Sequence, residues 1–503
     1  MPHIAEWLSF VNSIVFPVFC LHRTAGATNP PGTIGFEFTR EKRINSPAFS
    51  TRRNRRDPTS IFLSNEIQYY LINITIGTPG RTASLSLDTG SADIWFPHAD
   101  TLICEDSGCG FYGGDLHTAD SGTLVNATEH YGGNFNISYR DGTEVVGDYI
   151  FDTVDIGGMK VENVTMGLAS QVWDMPNVKG ILGVGFVEDE AHYMGYPNLP
   201  VQLLQQGHIN SVAYSVWLND VDSTTGSILF GGVDTEKYRG GLITTPLHST
   251  EDFYVELSSV NFTSSSGEQV YNATDLYATV LLDTGATRST LPGDVVKRLR
   301  TEVGAIYNDY HQMWLAPCKS STGGTIDFGF GSGNLSQGGP VVNVNVDEIL
   351  YPYIDEDTGE PPIDDFGKEL CRFGISAADE GGHLKLGDTF LRSAYVVYDL
   401  HNKHIALANT KFNSTTSNVQ EITNSTFAEL GAVKFQTFSA KTEPTQTTAA
   451  ATVAGTKLTA ATQTVSADDE AKSSTTNSAT STYALRQWLL VGGLLTTSLM
   501  KSL

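Results

Sequence analysis

The sequence contains one short motif twice, and this repeat constrains the fold more than any other feature. Residues 85–91 read Leu-Ser-Leu-Asp-Thr-Gly-Ser, and residues 280–286 read Val-Leu-Leu-Asp-Thr-Gly-Ala. Each copy follows an apolar run and is followed by a proline, at Pro97 and Pro292. A single Asp-Thr-Gly is expected only about 0.1 times in a chain of this length. Two copies, 195 positions apart, therefore indicate a duplicated unit.

Each copy supplies one carboxyl group, Asp88 and Asp283. Two carboxyl groups held a few ångströms apart cannot both ionise cheaply, so they share one proton and titrate as a coupled pair. One member can then take a proton from water while the other donates a hydrogen bond to a peptide carbonyl. Gly90 and Gly285 would let the two loops approach closely, and the threonine after each aspartate offers a bracing hydroxyl. This chemistry needs no metal or other cofactor.

The body of the chain reads as all-β. From about residue 67 to residue 408 short β-rich runs dominate, such as residues 69–76 and 394–399, and Gly, Asp and Asn turns separate them. Helical patterns are few, with residues 200–206 and 293–303 the best candidates.

These motifs together resemble the pepsin family of aspartic proteases, over residues 69–408. The resemblance implies a bilobal all-β double-psi β-barrel fold with the active-site cleft between its lobes. It also implies endopeptidase activity on polypeptides, inhibition by pepstatin-type compounds, and catalysis by Asp88 and Asp283. The lobes would span residues 57–240 and 241–410. We expect a monomer.

Residues 137–143 resemble the family's flap hairpin, which closes over substrate. The resemblance makes Tyr139 the flap tyrosine, with its hydroxyl paired to the Trp95 indole. A surface aromatic is the alternative interpretation of Tyr139. The residues expected to bind substrate are Tyr139, Asp141, Gly142, Gly90, Gly285 and Thr287.

Asp141 departs from the commonest flap sequence. Fungal relatives with Asp at this place accept Lys or Arg in the S1 pocket, where a charge-assisted hydrogen bond accounts for the preference. We therefore predict cleavage after basic residues. The alternative is that Asp141 only shapes a tight turn, because Asp-Gly is itself a turn signal.

Ala286 is a second departure, since many relatives carry Ser or Thr there. The first loop keeps Ser91. Losing a hydrogen bond to an ionised carboxylate raises its pKa, so we expect an activity optimum less acidic than that of pepsin.

The cysteines and the N-terminus suit the secretory route. An apolar segment, residues 7–21, contains Cys20 and precedes a small-residue cleavage pattern at residues 25–27, which predicts a signal peptide of residues 1–27. An N-terminal anchor is the alternative. Removal leaves an even four cysteines. The resemblance pairs Cys104 with Cys109, and Cys318 with Cys371.

Residues 28–56 carry three dibasic pairs and no sustained apolar period. This pattern predicts an exposed basic propeptide, with a merely flexible basic arm as the alternative. Asn-x-Ser/Thr sequons, which predict N-glycosylation in a secreted chain, occur at Asn73, Asn126, Asn136, Asn163, Asn261, Asn272, Asn334, Asn413 and Asn424.

The C-terminal region changes composition. Residues 411–477 are rich in Thr, Ser and Ala, which predicts an O-glycosylated stalk. The apolar tail, residues 488–500, is shorter than the roughly 20 residues of a spanning helix. A small-residue triplet beginning at Asn477 therefore predicts glycosylphosphatidylinositol (GPI) attachment there, with residues 478–503 removed. A marginal transmembrane helix, a purely apolar terminus and clipping of the tail are the alternatives. This order of segments also resembles the anchored yapsin-like enzymes of fungi.

The net charge and the absence of two other catalytic motifs narrow the possible functions. The net charge is −25, and eight of the 31 basic residues precede residue 57. The chain after residue 57 is therefore strongly acidic, which disfavours binding to nucleic acid and to anionic lipid. The acidic charge favours cationic substrates if the acids line a cleft, and a soluble acidic surface is the simpler alternative. Neither His-Glu-x-x-His nor Gly-x-Ser-x-Gly occurs. The rival function is a catalytically silent, protease-like wall or adhesion protein.

Overall fold

The computed structural model describes residues 30, 32–40, 70–99, 101, 121–173, 180–223, 225–319, 323–331, 339–355, 357–379 and 381–422. The predicted signal peptide, the pair Cys104 and Cys109, and everything beyond residue 422 lie outside the described residues. So do the sequons at Asn334 and Asn424 and the predicted anchor site at Asn477.

The regular elements in the first half of the described chain are mostly strands. They are β1 (Ile34–Arg40), β2 (Tyr70–Ile76), β3 (Arg81–Asp88), β4 (Ile94–Pro97), β5 (Val125–Asn126), β6 (Phe135–Ser138), β7 (Glu144–Ile156), β8 (Met159–Trp173), β9 (Ile181–Gly183), β10 (Ala213–Trp217), β11 (Thr225–Phe230), β12 (Gly232–Asp234) and β13 (Tyr238–Pro246).

The second half continues the pattern. Its strands are β14 (Tyr254–Thr263), β15 (Gln269–Leu282), β16 (Ser289–Leu291), β17 (Ile306–Asn308), β18 (Met313–Pro317), β19 (Thr325–Phe330), β20 (Val341–Asn345), β21 (Leu350–Pro352), β22 (Leu370–Phe373), β23 (Ile375–Ala377), β24 (Leu384–Leu386), β25 (Ala394–Asp399), β26 (His404–Thr410) and β27 (Val419–Glu421).

Helices are few and short in the described residues, as the sequence predicts. They are α1 (Leu199–Gln205), α2 (Gly293–Val303), α3 (Val346–Ile349) and α4 (Asp388–Leu391), with a 3-10 turn at Val187–Asp189. The two predicted helices are confirmed to within one residue. No helix in these parts of the chain combines the length and apolar character needed to cross a membrane.

The sheets form two lobes, and strands from both lobes join in one large sheet. A 14-stranded sheet runs β13-β26-β25-β10-β11-β1-β2-β3-β9-β4-β8-β7-β5, with β6 paired to β7. A seven-stranded sheet, β20-β19-β14-β15-β24-β16-β23, builds the second lobe. Because β25 pairs with β10 in register from Ala213 opposite Asp399, residues 394–399 return to the first lobe. The predicted boundary between residues 240 and 241 therefore falls inside β13.

Each Asp-Thr-Gly loop is held by the same arrangement of strands. In the first lobe β3 pairs in parallel with β9, which places Asp88 opposite Gly183. In the second lobe β15 pairs in parallel with β24, which places Leu282 opposite Leu386. Each aspartate thus lies at the buried end of a strand that a second strand fixes from behind, as the duplicated apolar runs suggest.

Strand β1 corrects the expectation of an exposed propeptide. It lies between β11 and β2, with Ile34 opposite Phe230 and Thr39 opposite Leu71. Its alternate side chains, Ile34, Phe36 and Phe38, are buried. Alternation with period two forms one apolar face of a strand, and this run is short enough to be overlooked beside the basic pairs.

The predicted stalk also begins later than residue 411. Strand β27 pairs with β12, with Val419 opposite Asp234. Ile422 is 1% exposed and packs with Val233. The chain therefore remains folded against the body through Ile422.

The cysteines and sequons of the described residues can be located. Cys318 and Cys371 form a disulfide, as the resemblance implies. Asn261 is 2% exposed within β14, so the packing leaves no room for a glycan on its side chain. The sequon asparagines exposed to solvent are Asn73, Asn126, Asn136, Asn163, Asn272 and Asn413.

Candidate active site

The two Asp-Thr-Gly loops meet at the floor of the cleft between the lobes. A Cβ on Gly90 would lie 2.7 Å from Oδ1 of Asp283, and a Cβ on Gly285 would lie 2.5 Å from Oδ1 of Asp88. Real Cβ atoms essentially never approach that closely. Each glycine is therefore required by the aspartate of the opposite lobe.

The threonines brace the loops as the sequence suggests. The Thr89 amide donates to the Thr284 hydroxyl at 3.1 Å, and the Thr284 amide donates to the Thr89 hydroxyl at 3.0 Å. Each hydroxyl donates in turn to a carbonyl of the other lobe, Leu282 at 2.9 Å and Leu87 at 3.0 Å. These four buried bonds tie the lobes together directly beneath the carboxyl groups.

Asp88 is 6% exposed, and its carboxyl group lies beside that of Asp283, since oxygens of both approach the Cβ position of Gly285. Burial and the adjacent charge of Asp283 raise the pKa of Asp88 to about 7. The Ser91 hydroxyl donates to Oδ2 at 2.6 Å and the Gly90 amide donates to Oδ1 at 2.8 Å, and both bonds oppose the rise because they favour the carboxylate.

Asp283 has different surroundings. The Gly285 amide donates to its Oδ1 at 2.8 Å, which matches the first loop. Ala286 supplies no hydroxyl. Instead the Lys385 ammonium lies 3.9 Å from Oδ2, with 37% of the Lys385 side chain exposed.

The flap is the hairpin of β6 and β7. The Tyr139 amide donates to the Thr143 carbonyl at 2.7 Å and closes its tip, where Gly142 has φ of 97°. The Trp95 indole donates to the Tyr139 hydroxyl at 2.7 Å, the pairing that the resemblance implies. Burial, followed by the charge of Asp88, holds the pKa of Tyr139 well above its ordinary value, so this hydroxyl stays protonated.

Asp141 lies at the exposed flap tip and faces the cleft. Its Oδ1 accepts the Thr143 amide at 2.9 Å, so the turn-forming role is real. Its neighbour Arg140 reaches across the cleft and donates to the Tyr254 hydroxyl at 2.6 Å.

The cleft has a volume of about 730 Å³, within the usual range for ligand sites. Of the predicted substrate-binding residues, Gly90, Tyr139, Asp141, Gly285 and Thr287 line it. Gly142 does not; it serves the turn. Several charged or titratable residues that were not predicted from the sequence also line the cleft, namely Arg140, Asp189, Glu190, Arg288, His383 and Lys385.

Acids of the first lobe form one wall of the cleft. Burial raises the pKa of Asp189 to about 7 and that of Glu190 to about 9. Behind them burial raises the pKa of Asp93 to about 6, although the Tyr196 hydroxyl donates to it at 2.5 Å. Asp189 and Glu190 follow Gly185 in a segment without a recognisable motif, so only the fold reveals their position.

The family is decided by a comparison with family models. The model for the eukaryotic aspartyl protease family matches residues 69–410, which include both loops, the flap and the strands behind them. The chain belongs to this family. It is an aspartic endopeptidase, and enzymes of this kind act on polypeptides and are inhibited by pepstatin-type compounds.

Individual relatives of this aspartyl protease are fungal. The chain is 38% identical over 436 residues to the probable aspartic-type endopeptidase opsB of Aspergillus fumigatus, covering 84% of this chain and 85% of the relative. It is 36% identical over 366 residues to secreted aspartic protease 5 of Candida albicans, covering 72% and 81%. It is 35% identical over 383 residues to candidapepsin-4 of Candida albicans, covering 74% and 84%.

Proposed function

We propose that this aspartyl protease hydrolyses peptide bonds with Asp88 and Asp283 as its catalytic pair. The observation that carries the proposal is that the two carboxyl groups lie together at the floor of the cleft, since a Cβ on Gly285 would lie 2.5 Å from Oδ1 of Asp88 and 3.1 Å from Oδ1 of Asp283. Two matching loops fix the pair, and each loop excludes any side chain larger than glycine at the contact. A protein that only bound polypeptides would gain nothing from a proton-sharing pair.

The reaction conserves protons at each step. The ionised carboxyl group removes a proton from water while the water oxygen forms a bond to the scissile carbonyl carbon. The protonated carboxyl group gives its proton to the carbonyl oxygen, which produces a tetrahedral diol. On collapse the carbon–nitrogen bond breaks, the amine nitrogen takes the proton that came from water, and a diol hydroxyl returns the other proton to the pair.

The flap would cover the substrate during this sequence. Tyr139, fixed by the Trp95 indole, lies over the pair, and the Arg140 contact with Tyr254 joins the flap to the second lobe. Closing such a cover excludes water and strengthens the electrostatic interactions beneath it.

We further propose a preference for Lys or Arg on the acyl side of the cleaved bond, with Asp141 as the recognising group. Asp141 uses one carboxylate oxygen for the turn, and it lines the same cleft as the catalytic pair. Charge-assisted hydrogen bonds are roughly twice as strong as neutral ones. The carboxylate therefore supports recognition of a cation even while it shapes the flap.

The segments outside the described residues support a secreted precursor that is held at the cell surface by a GPI anchor. Relatives named as secreted proteases support the secretory route. We propose that residues 28–56 are removed at the dibasic pairs. Because β1 lies between β2 and β11, its loss would leave two strand edges unpaired.

The first test is cleavage of a mixed peptide library from pH 3 to 7, with and without pepstatin, by the wild type and Asp88→Asn. We expect pepstatin-sensitive cleavage that falls by at least about 10²–10⁴-fold in the variant. If correctly processed wild type cleaves nothing at any pH, the wall or adhesion function replaces this proposal.

Asp141→Asn separates charge from turn formation, because an Asn side chain keeps the oxygen that accepts the Thr143 amide. We expect kcat/KM on Lys or Arg peptides to fall by about tenfold or more, with Leu and Phe peptides little affected. Asp141→Thr should show the same selectivity. Equal losses on both peptide classes would leave Asp141 with the turn alone.

The anchor is tested on intact cells with phosphatidylinositol-specific phospholipase. Release of active protein from the membrane fraction would support the anchor. Protein that is already soluble, or that stays bound after phospholipase treatment, would contradict it.

A further inference from the structure

We propose that Lys385 is a positioning residue that keeps Asp283 in its carboxylate form, so that Asp283 acts as the base and Asp88 carries the proton. This rests on the proposed function of Asp88 and Asp283 as the catalytic pair. It assigns two chemically identical side chains to two different roles.

The geometry comes from the strand behind the second loop. In β24 the residues Leu384 and Leu386 flank Lys385, and Thr290 of β16 lies opposite it. Its side chain runs into the cleft, where the ammonium lies 3.9 Å from Oδ2 of Asp283. An opposite charge at this distance favours the ionised form of a carboxyl group.

The first lobe provides an internal control. Ile181 holds the matching position in β9, opposite Trp95 of β4, and it also lines the cleft. Ile181 offers Asp88 no charge. Asp88 is the more buried of the two aspartates, and burial disfavours its carboxylate form. The single proton of the pair is therefore more stable on Asp88.

Other charged and titratable groups face the pair. They are Arg288, His383 and Tyr351 on the wall of the second lobe, Asp189, Glu190, Tyr139, Arg140 and Asp141 on the opposite side, and Tyr398 beneath the loops. The guanidinium groups of Arg288 and Arg140 act in the same direction as Lys385. Burial raises the pKa of Asp189 to about 7 and that of Glu190 to about 9, so these two acids oppose it only at higher pH. Within the described residues, Lys385 is the cation that forms an ion pair with Asp283.

The roles fix the path of each proton. Asp283 takes the proton of the attacking water while the water oxygen bonds to the carbonyl carbon, and Asp88 protonates the carbonyl oxygen. When the carbon–nitrogen bond breaks, Asp283 passes its proton to the leaving amine and Asp88 regains its own from the diol. The ammonium of Lys385 keeps its protons throughout.

The experiment measures kcat/KM against pH for wild type, Lys385→Met, Lys385→Arg and the control Lys297→Met, on a peptide without charged residues near the cleaved bond. Lys297 is exposed on α2, so its variant has the same net charge as Lys385→Met. Removal of a nearby cation raises the pKa of the first ionisation of the pair. We expect the acid limb of Lys385→Met to move up by about 0.5–1 pH unit, a value discounted because the lysine is partly exposed.

Lys385→Arg retains the cation and should restore the wild-type acid limb, which a purely structural role of the side chain would not require. An acid limb of Lys385→Met that coincides with those of wild type and Lys297→Met would overturn the proposal.

The pH dependence of pepstatin affinity gives a second readout that does not need turnover. The same upward shift is expected in Lys385→Met, and coincident affinity profiles would overturn the proposal. Failure of the wild type to cleave peptides would instead overturn the proposed function, so the two failures can be distinguished.

Discussion

The two lobes build the same loop and then treat its aspartate differently. Both loops follow a buried strand, both donate a glycine amide to the carboxylate at 2.8 Å, and both threonines brace the opposite lobe. Beyond this shared frame, Asp88 has the Ser91 hydroxyl at 2.6 Å. Asp283 has Ala286 and the Lys385 ammonium at 3.9 Å.

The duplicated motif therefore sets the position of each aspartate, whereas the residues around the motif influence its protonation. A hydroxyl and an ammonium both favour a carboxylate, but the ammonium carries a full charge and acts over a longer distance. The lobes also differ in their buried acids. Asp93, Asp189 and Glu190, whose pKa values are raised by burial, all belong to the first lobe.

Where the lobes match, matched variants should behave alike. Gly90→Ala and Gly285→Ala each place a Cβ against the other aspartate, and displacement of a reacting group by about 1 Å can cost about 10²-fold in rate. We expect kcat to fall by about 10²-fold or more in both. Gly133→Ala is the control, because nothing lies within 4 Å of its Cβ. Full activity in one glycine variant but not in the other would break the symmetry.

Because the acids whose pKa values are raised by burial lie in the first lobe, we expect a rise in pH to destabilise that lobe. Glu190 has its pKa raised from 4.5 to about 9, so its stabilising contribution is complete below about pH 4.5 and is lost as pH rises toward 9. Glu190→Gln keeps an acceptor for the Tyr196 amide and removes this loss.

Thermal unfolding of Glu190→Gln should therefore match wild type at pH 4 and exceed it at pH 8, by about 2–4 °C for each kcal/mol regained. Glu188→Gln, an exposed change in the same turn, should show no such gain. An equal change of Tm at both pH values would rule out this titration as the cause.

The smallest expected effects concern the hydroxyl that only one loop possesses. Because Ser91 donates to Asp88, Ser91→Ala should raise the alkaline limb of kcat/KM by about 0.5–1 pH unit and leave the acid limb in place. Ala286→Ser should instead lower the acid limb by about half a unit.

If Ser91→Ala moved the acid limb and Ala286→Ser moved the alkaline limb, Asp88 would be the group that ionises first.

In the wild type the missing hydroxyl at Ala286 and the ammonium of Lys385 act in opposite directions on the pKa of Asp283. An activity maximum near pH 2 would contradict the less acidic optimum expected from Ala286.

Much of this protein could be predicted from the sequence because its strongest signals are local. The two Asp-Thr-Gly copies, their apolar strands, the flap pattern and both longer helices depend on neighbours in the chain, and the structure places them as expected. Short patterns misled where burial decided the outcome. Strand β1 comes directly before the basic pairs and was not predicted as a strand. Asn261 carries a sequon but lies inside β14. Residues 411–422 stay packed although their composition predicts a stalk.

The family, the aspartate pair and the two strands that end at it can be predicted from the sequence alone. The charges that face the pair depend on how the strands pair in three dimensions. Asp189, Glu190 and Lys385 carry no motif, and Lys385 is 102 positions from Asp283 along the chain. Parallel pairing of β15 with β24 brings that lysine within reach, because a strand fixes the position of its side chains by register and not by their identity.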